Sequence, residues 1–331
     1  MKTKTWLVLI TLYLVWGSTY FSIKVAIETI PPFFHAAARF LAAGLILMIW
    51  QKMAGYALPT RKQWISTAII GNLLLLGGNG LVSWAEQFIP SGIASLLIGS
   101  IPMFLVLGEA LRPGGTKPNL QVVVGLLIGL AGILVLVGPS EISTGSDRLD
   151  PLGVIVVLTA CIFWSIGSIY SKTADLPASS LMNTGAQMVT ASVGLMITSL
   201  LSGELSNWNP ALVSTRSLFG MGYLILFGSI IGFSSYTWLL KNAPLPIFST
   251  YAYVNPVVAL ILGVLFADEP LNARIIFASA IILGSVIFIN WARQAGEKKK
   301  KSIAQQVTKS EMIEVHVQRS ILPEKYSVKK S

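Results

Sequence analysis

The chain has 331 residues, 53% of them hydrophobic and 11% charged, with a mean hydropathy of +0.70. Soluble domains carry about 25% charged residues, so this chain cannot cover a water-facing surface of its size, which excludes a soluble enzyme, a disordered chain and a soluble nucleic-acid binder. The net charge of +10 is gathered at one end: residues 291–331 hold ten basic and four acidic side chains, or +6 of the total.

Crossing a ~30 Å hydrocarbon core takes about 20 apolar residues, and ten stretches meet that length. They are Trp6–Ile27, Phe33–Trp50, Trp64–Trp84, Ile89–Leu111, Leu120–Gly138, Leu152–Ser171, Leu181–Leu201, Leu218–Leu240, Ile247–Ala267 and Arg274–Asn290. Short connections separate them and carry turn residues, among them Pro31-Pro32, Pro90-Ser91-Gly92, Pro113-Gly114-Gly115 and Pro244 to Pro246. Lipid offers the backbone no hydrogen-bond partners, so the segments are read as helices. The first follows Lys2 and Lys4 like a signal peptide, but its apolar run is too long and has no small-residue cleavage site.

Alternate loops differ in Lys and Arg content. With the N-terminus inside, the cytoplasmic side collects Lys2, Lys4, Lys52, Arg61, Lys62, Arg112, Lys117, Lys172, Lys241 and the basic tail, so both termini are expected to be cytoplasmic. Lys298-Lys299-Lys300-Lys301 follows the last apolar segment, where lysines attract anionic lipid headgroups. The tail beyond Ser302 reads as a solvated extension. The single cysteine, Cys161, cannot form an internal disulfide, and no Cys/His cluster has metal spacing; neither metal nor cofactor is expected.

The halves resemble each other. A shift of 154 residues pairs Gly78 with Gly232, Trp84 with Trp238, Pro90 with Pro244, Ile93 with Ile247, Ser95 with Ser249 and Pro102 with Pro256, and a shift of 148 pairs Trp16 with Trp164, Lys24 with Lys172 and Ala26 with Ala174. Five spans is an odd number, so the second unit enters the membrane inverted. The expected fold is an all-α integral membrane protein of ten transmembrane helices in two inverted five-helix repeats. The repeats cover residues 1–138 and 152–292, with a connecting loop at 139–151 and a basic tail at 293–331. Inverted repeats place a substrate site near the midplane at their interface, with access alternating between sides.

Several motifs recur in order. Trp16-Gly17-Ser18-Thr19 lies in the first segment; Pro90-Ser91-Gly92 and Ala94-Ser95-Leu96-Leu97 lead to Pro102; Gly125 to Gly138 closes the first half; and Asn255-Pro256 and Asp268-Glu269-Pro270-Leu271 occupy the second. With these the chain resembles the EamA family of the drug/metabolite transporter superfamily over roughly Trp6 to Trp291. The resemblance implies a central cavity lined by the first, third, fourth, sixth, eighth and ninth helices, with the fifth and tenth as scaffold. One departure is the loop after the fourth helix, Arg112-Pro113-Gly114-Gly115, where the family often has an acidic residue before proline.

The residues themselves point to similar segments. Gly78 and Gly232 are candidate hinges in glycine-rich, locally pliable stretches, where small residues also serve ordinary membrane packing. Pro102 and Pro256 each remove a helical hydrogen bond, which makes them candidate hinges or static kinks. Trp16, Tyr20, Asn79, Ser95, Ser100, Trp164, Tyr251, Tyr253 and Asn255 supply aromatic surface, hydroxyls and amides for a pocket suited to a small amphipathic metabolite such as an amino acid. Trp6, Trp50, Trp64 and Trp291 read as an interfacial belt.

Charges within spans cost about 2.5 to 3.5 kcal/mol at the helix centre, so each needs a reason. Lys24, Glu28, Arg39 and Glu86 fall toward the non-cytoplasmic side, Lys24 and Glu28 four apart on one helix face. They read either as structural ion pairs and snorkelling charges or as gates, coupling groups and contacts for a substrate carboxylate, with Glu86 the first choice for proton coupling. Glu109 is expected to pair near Arg112, and Lys172 near Asp175. His35 reads as a satisfied helix-end residue.

The expected function is secondary transport of a small metabolite, by export or exchange, in the inner membrane. Membrane lipids are the other expected partners, nucleic acid is not, and the oligomeric state stays open between monomer and homodimer. A carrier of phosphorylated or nucleotide-linked sugars would need cavity-facing cations, for which only Lys24, Arg39 and Lys172 are available. An integral membrane enzyme is disfavoured because there are two histidines, and no Gly-x-Ser-x-Gly, HExxH or P-loop motif. A membrane sensor or scaffold is a further alternative.

Overall fold

The computed structural model describes residues 3–115, 117–137, 149–206, 208–248 and 250–296. Gly138, most of the 139–151 connection and the tail from residue 297 lie outside the described residues, so the readings made for the loop and the basic tail are left as expectations.

Among the described residues nine helices are long and apolar enough to cross a membrane, and a shorter apolar helix makes a tenth. They are α1 (Thr3–Ala26), α2 (Pro32–Met53), α3 (Arg61–Ala85), α4 (Ser91–Leu111), α5 (Leu120–Val137), α6 (Pro151–Tyr170), α7 (Ser180–Leu201), α8 (Thr215–Leu239), α9 (Tyr251–Phe266) and α10 (Ala273–Gly296). At 16 residues α9 is short because its expected first turn is a separate helix, Leu245–Phe248, hydrogen-bonded through Pro244 O.

Local sequence sets where helices start. Thr60 and Gln63 form a reciprocal capping box before α3, Asp150 caps α6 with Pro151 in its first turn, and Ser179 and Ser214 cap α7 and α8. Each cap satisfies a first-turn N–H that would otherwise be left without a partner. Other ends are closed by distant residues. Glu269 accepts from Ser91 N (2.6 Å) and Gly92 N (2.9 Å) at the start of α4, and Glu204 accepts from Phe34 N (2.7 Å) and Phe33 N (3.3 Å) at the start of α2.

Corresponding helices of the two halves pack on each other. α2 meets α7 where a Cβ on Gly44 would lie 2.9 Å from Gly185 O, and one on Gly185 3.0 Å from Gly44 O. α5 meets α10 through Gly125, Gly129 and Gly132, set against Ile289, Ser285 and Ile282. Small residues let backbones approach closely where lipid supplies no hydrophobic drive between helices. With these pairs as scaffold, the remaining six helices surround the interior.

Three of these six are interrupted, two of them at corresponding places in the halves. α3 is π-helical over Asn72–Gly80 and α8 over Leu224–Ile231, and α4 breaks at Gly99-Ser100 just before Pro102. Pro256, its counterpart, lies inside continuous helix, so the matching prolines have different local geometry. The expected belt is also uneven: Trp6, Trp50 and Trp291 project outward, whereas Trp64 packs against Met48, Met182 and Ala186.

Candidate functional site

An interior cavity of about 300 Å³ opens among α1, α3, α4, α6, α8 and α9, with one residue from α2. From α1 come Trp16, Thr19, Tyr20 and Ile23, from α3 Gly78, Asn79 and Val82, and from α4 Ser95, Ile98, Gly99, Pro102 and Leu105. The second half contributes Trp164 and Ser168 from α6, Gly228, Phe233 and Tyr236 from α8, and Tyr251, Ala252, Asn255 and Pro256 from α9; α2 contributes Arg39.

Two tryptophans set the wall by matching arrangements. Trp16 of α1 lies so close to Gly232 of α8 that a Cβ there would be 2.7 Å from its Cδ1, and its indole N–H donates to Gly228 O at 3.2 Å. Trp164 of α6 lies on Gly78 of α3, where a Cβ would be 2.7 Å from Cε3. Each ring therefore occupies space left by a glycine in or beside a π-helical stretch, and those stretches are frequent at functional sites. Around Trp16, Tyr236 stacks at 5.1 Å between ring centroids, and Phe233 and Tyr251 meet it edge-on at 5.3 and 5.6 Å.

The polar groups are few. Asn255 is buried and its Oδ1 has no hydrogen-bond partner among the described residues, and Asn79 makes no hydrogen bond there. Ser95 Oγ donates to Gly92 O at 3.1 Å.

Two residues expected in the pocket lie elsewhere. Ser100 is fully buried with its hydroxyl on Leu97 O at 2.5 Å, because the α4 break turns it inward to the helix's own carbonyl. Tyr253 packs with Met103, Val122 and Val286 between α4, α5 and α10, and its hydroxyl accepts from Asn290; one position on from Ala252, it faces the scaffold. Gly232 shapes the wall through Trp16 without lining it.

Glu109 pairs with Arg112 as expected, but the other charged residues meet different partners from those expected. α1 ends at Ala26, so Glu28 falls in the following turn and pairs with Arg216 at 3.4 Å. Lys24 instead donates to the backbone carbonyl of Glu86 at 2.5 Å. Glu109 bonds both Arg112 and Lys172 at 2.9 Å; Lys172 thus joins α6 to α4, and Asp175 accepts from Gln63 instead (3.3 Å). His35 is fully buried with neither nitrogen hydrogen-bonded among the described residues, and the carboxylate of Glu86 is likewise buried without a hydrogen-bond partner. Arg39 is 3% exposed and reaches the cavity.

The sequence left Ser168, Phe233 and Tyr236 unremarked, and named Thr19 only within the Trp16-Gly17-Ser18-Thr19 motif. Phe233 and Tyr236 are three apart on one helix face, a spacing that could have marked them. Glu204 and Glu269 gave no local sign of their role, since the N–H groups they satisfy belong to helices far away in sequence.

A helical membrane protein whose two halves share the walls of one amphipathic interior cavity has the build of a permease. The chain belongs to the EamA-like transporter family, which it matches over residues 3–138 and 151–291. It is 39% identical over 282 residues to the uncharacterized inner membrane transporter YedA of Escherichia coli K12, covering 85% of this chain and 89% of YedA. It is 26% identical over 290 residues to protein PecM of Dickeya dadantii, covering 86% and 92%. A solved crystal structure superposes with a TM-score of 0.59 at 20% identity, over 89% of this chain and 99% of that one, and shares the fold.

Proposed function

We propose that this permease carries a small amphipathic metabolite, by export or exchange, through alternating access in the inner membrane, with both termini cytoplasmic. The supporting observation is the cavity of about 300 Å³, at the lower end of ligand-pocket volumes of roughly 300–1,000 Å³. Its aromatic wall is interrupted by Asn79, Ser95, Asn255 and Arg39. Such a wall holds an apolar body and orients its polar ends.

The inverted five-helix halves supply the means of exposing one site to either side in turn. The excess of Lys and Arg in alternate loops supports cytoplasmic termini, and YedA's description supports the inner membrane. Of the three cations a sugar-phosphate carrier would use, Lys24 and Lys172 are engaged by Glu86 O and Glu109, which counts against that reading. Proteoliposomes carrying the purified chain and loaded with amino acids, amines and organic acids should show flux of at least one class. Absence of flux in both directions for every class would overturn the reading.

A further inference from the structure

Arg39 is a cation inserted into an otherwise paired arrangement. The cavity is lined by corresponding helices of the two halves, α1 with α6, α3 with α8 and α4 with α9, whereas α2 contributes Arg39 and its counterpart α7 contributes nothing. Packing symmetry therefore does not require it there. It is buried, with Gly228 and Ser229 of α8 beside its guanidinium and the Phe40 ring centroid 4.8 Å from its guanidinium carbon.

Its donors are mostly unused. A guanidinium has five N–H groups; here Nε donates to Ser229 Oγ at 3.0 Å. The two terminal nitrogens make no hydrogen bond to the described residues, and no carboxylate among those residues forms an ion pair with Arg39. The buried carboxylate of Glu86 makes no hydrogen bond to it. A buried guanidinium is costly unless its donors are met, and Ser229 fixes one edge of the fork so that the other is left for a ligand. Planar bidentate geometry matches a carboxylate.

Resting on the permease reading, we infer that Arg39 anchors the carboxylate of the transported compound, so that the substrates are small organic monocarboxylates with an apolar body. The carboxylate takes the terminal nitrogens of Arg39 and the body lies against Trp16, Tyr236 and Trp164. Arg39 thereby determines specificity: a neutral isostere leaves the guanidinium dehydrated and unpaired.

The test uses the full-length chain in nanodiscs and a panel of monocarboxylates, acetate to indole-3-acetate, each paired with its primary amide. Binding is read from quenching of tryptophan fluorescence, and flux from counterflow in proteoliposomes. In the wild type at least one carboxylate should bind about tenfold more tightly than its amide, as a charge-assisted bidentate pair implies. R39Q should abolish that preference, and R39K, a point charge without the fork, should keep only part of it. Should R39Q prove misfolded by size-exclusion chromatography, the wild-type preference and R39K decide.

A wild type that never prefers carboxylate over amide, or an R39Q chain that keeps the preference, overturns the assignment. Flux of amines or neutral compounds alone does the same and leaves the permease reading standing. A carboxylate preference that R39Q abolishes, without flux of any compound, supports the anchor and overturns alternating access.

Discussion

Glu269 shows how a single side chain joins the two halves. Its carboxylate caps Ser91 N and Gly92 N, the charge-assisted bonds favoured at a helix N-terminus. E269A should therefore lower stability by about 1–2 kcal/mol, in the range of lost helix caps, and E269Q by less; thermal unfolding in detergent measures both. Lys24 holds a backbone oxygen of residue 86, so E86Q should keep that contact and the fold, whereas K24M should lower the melting temperature. An E86Q chain less stable than K24M would contradict this geometry. At Gly78 an added methyl would stand 2.7 Å from the Trp164 ring. G78A should displace that ring, costing about 1–3 kcal/mol as overpacking does, and should reduce flux, read in the same proteoliposomes.

At the scale of elements, the helices were legible because their cause is local. Apolar length, the lipid's lack of backbone partners and caps such as Thr60 with Gln63 all lie within each segment. What sequence spacing missed was interruption. The π-helical stretches Asn72–Gly80 and Leu224–Ile231 contain or adjoin the glycines on which Trp164 and Trp16 pack from other helices, a juxtaposition that no single-segment pattern reveals. The scaffold contact of α2 with α7 is equally non-local. G44L or G185L should separate these helices, with loss of a monodisperse folded species in size-exclusion chromatography, while a leucine at Gly222, whose Cβ would meet nothing within 4 Å, should be tolerated.

For the whole molecule, an even count of ten spans predicts that both ends of the chain lie on one side of the membrane. Fusions of a cytoplasm-active fluorescent protein at either end should both fluoresce, and alkaline phosphatase fusions at the same ends should both be inactive. Opposite reporters at the two ends would break the even count of spans. Cys161 is fully buried, so maleimide should label it only after unfolding, which makes the native chain a clean background for placing reporter cysteines. Duplication and parity were available from the sequence because identities such as Pro102 with Pro256 and Trp16 with Trp164 survive in order.

The sequence by itself determined a ten-span, duplicated and inverted membrane protein, since hydropathy, span parity and repeat identities are properties of the chain's order. It also named Trp16, Tyr20, Asn79, Ser95, Trp164, Tyr251 and Asn255, all of which line the cavity, because polar and aromatic groups within apolar spans stand out against lipid. Only the tertiary structure decided which groups meet. Glu28 faces Arg216, Lys172 faces Glu109, Tyr253 turns to the scaffold and Arg39 enters the cavity with open donors. Those outcomes depend on how helices far apart in sequence are rotated against one another, and rotation is fixed by glycine contacts and caps contributed by other segments.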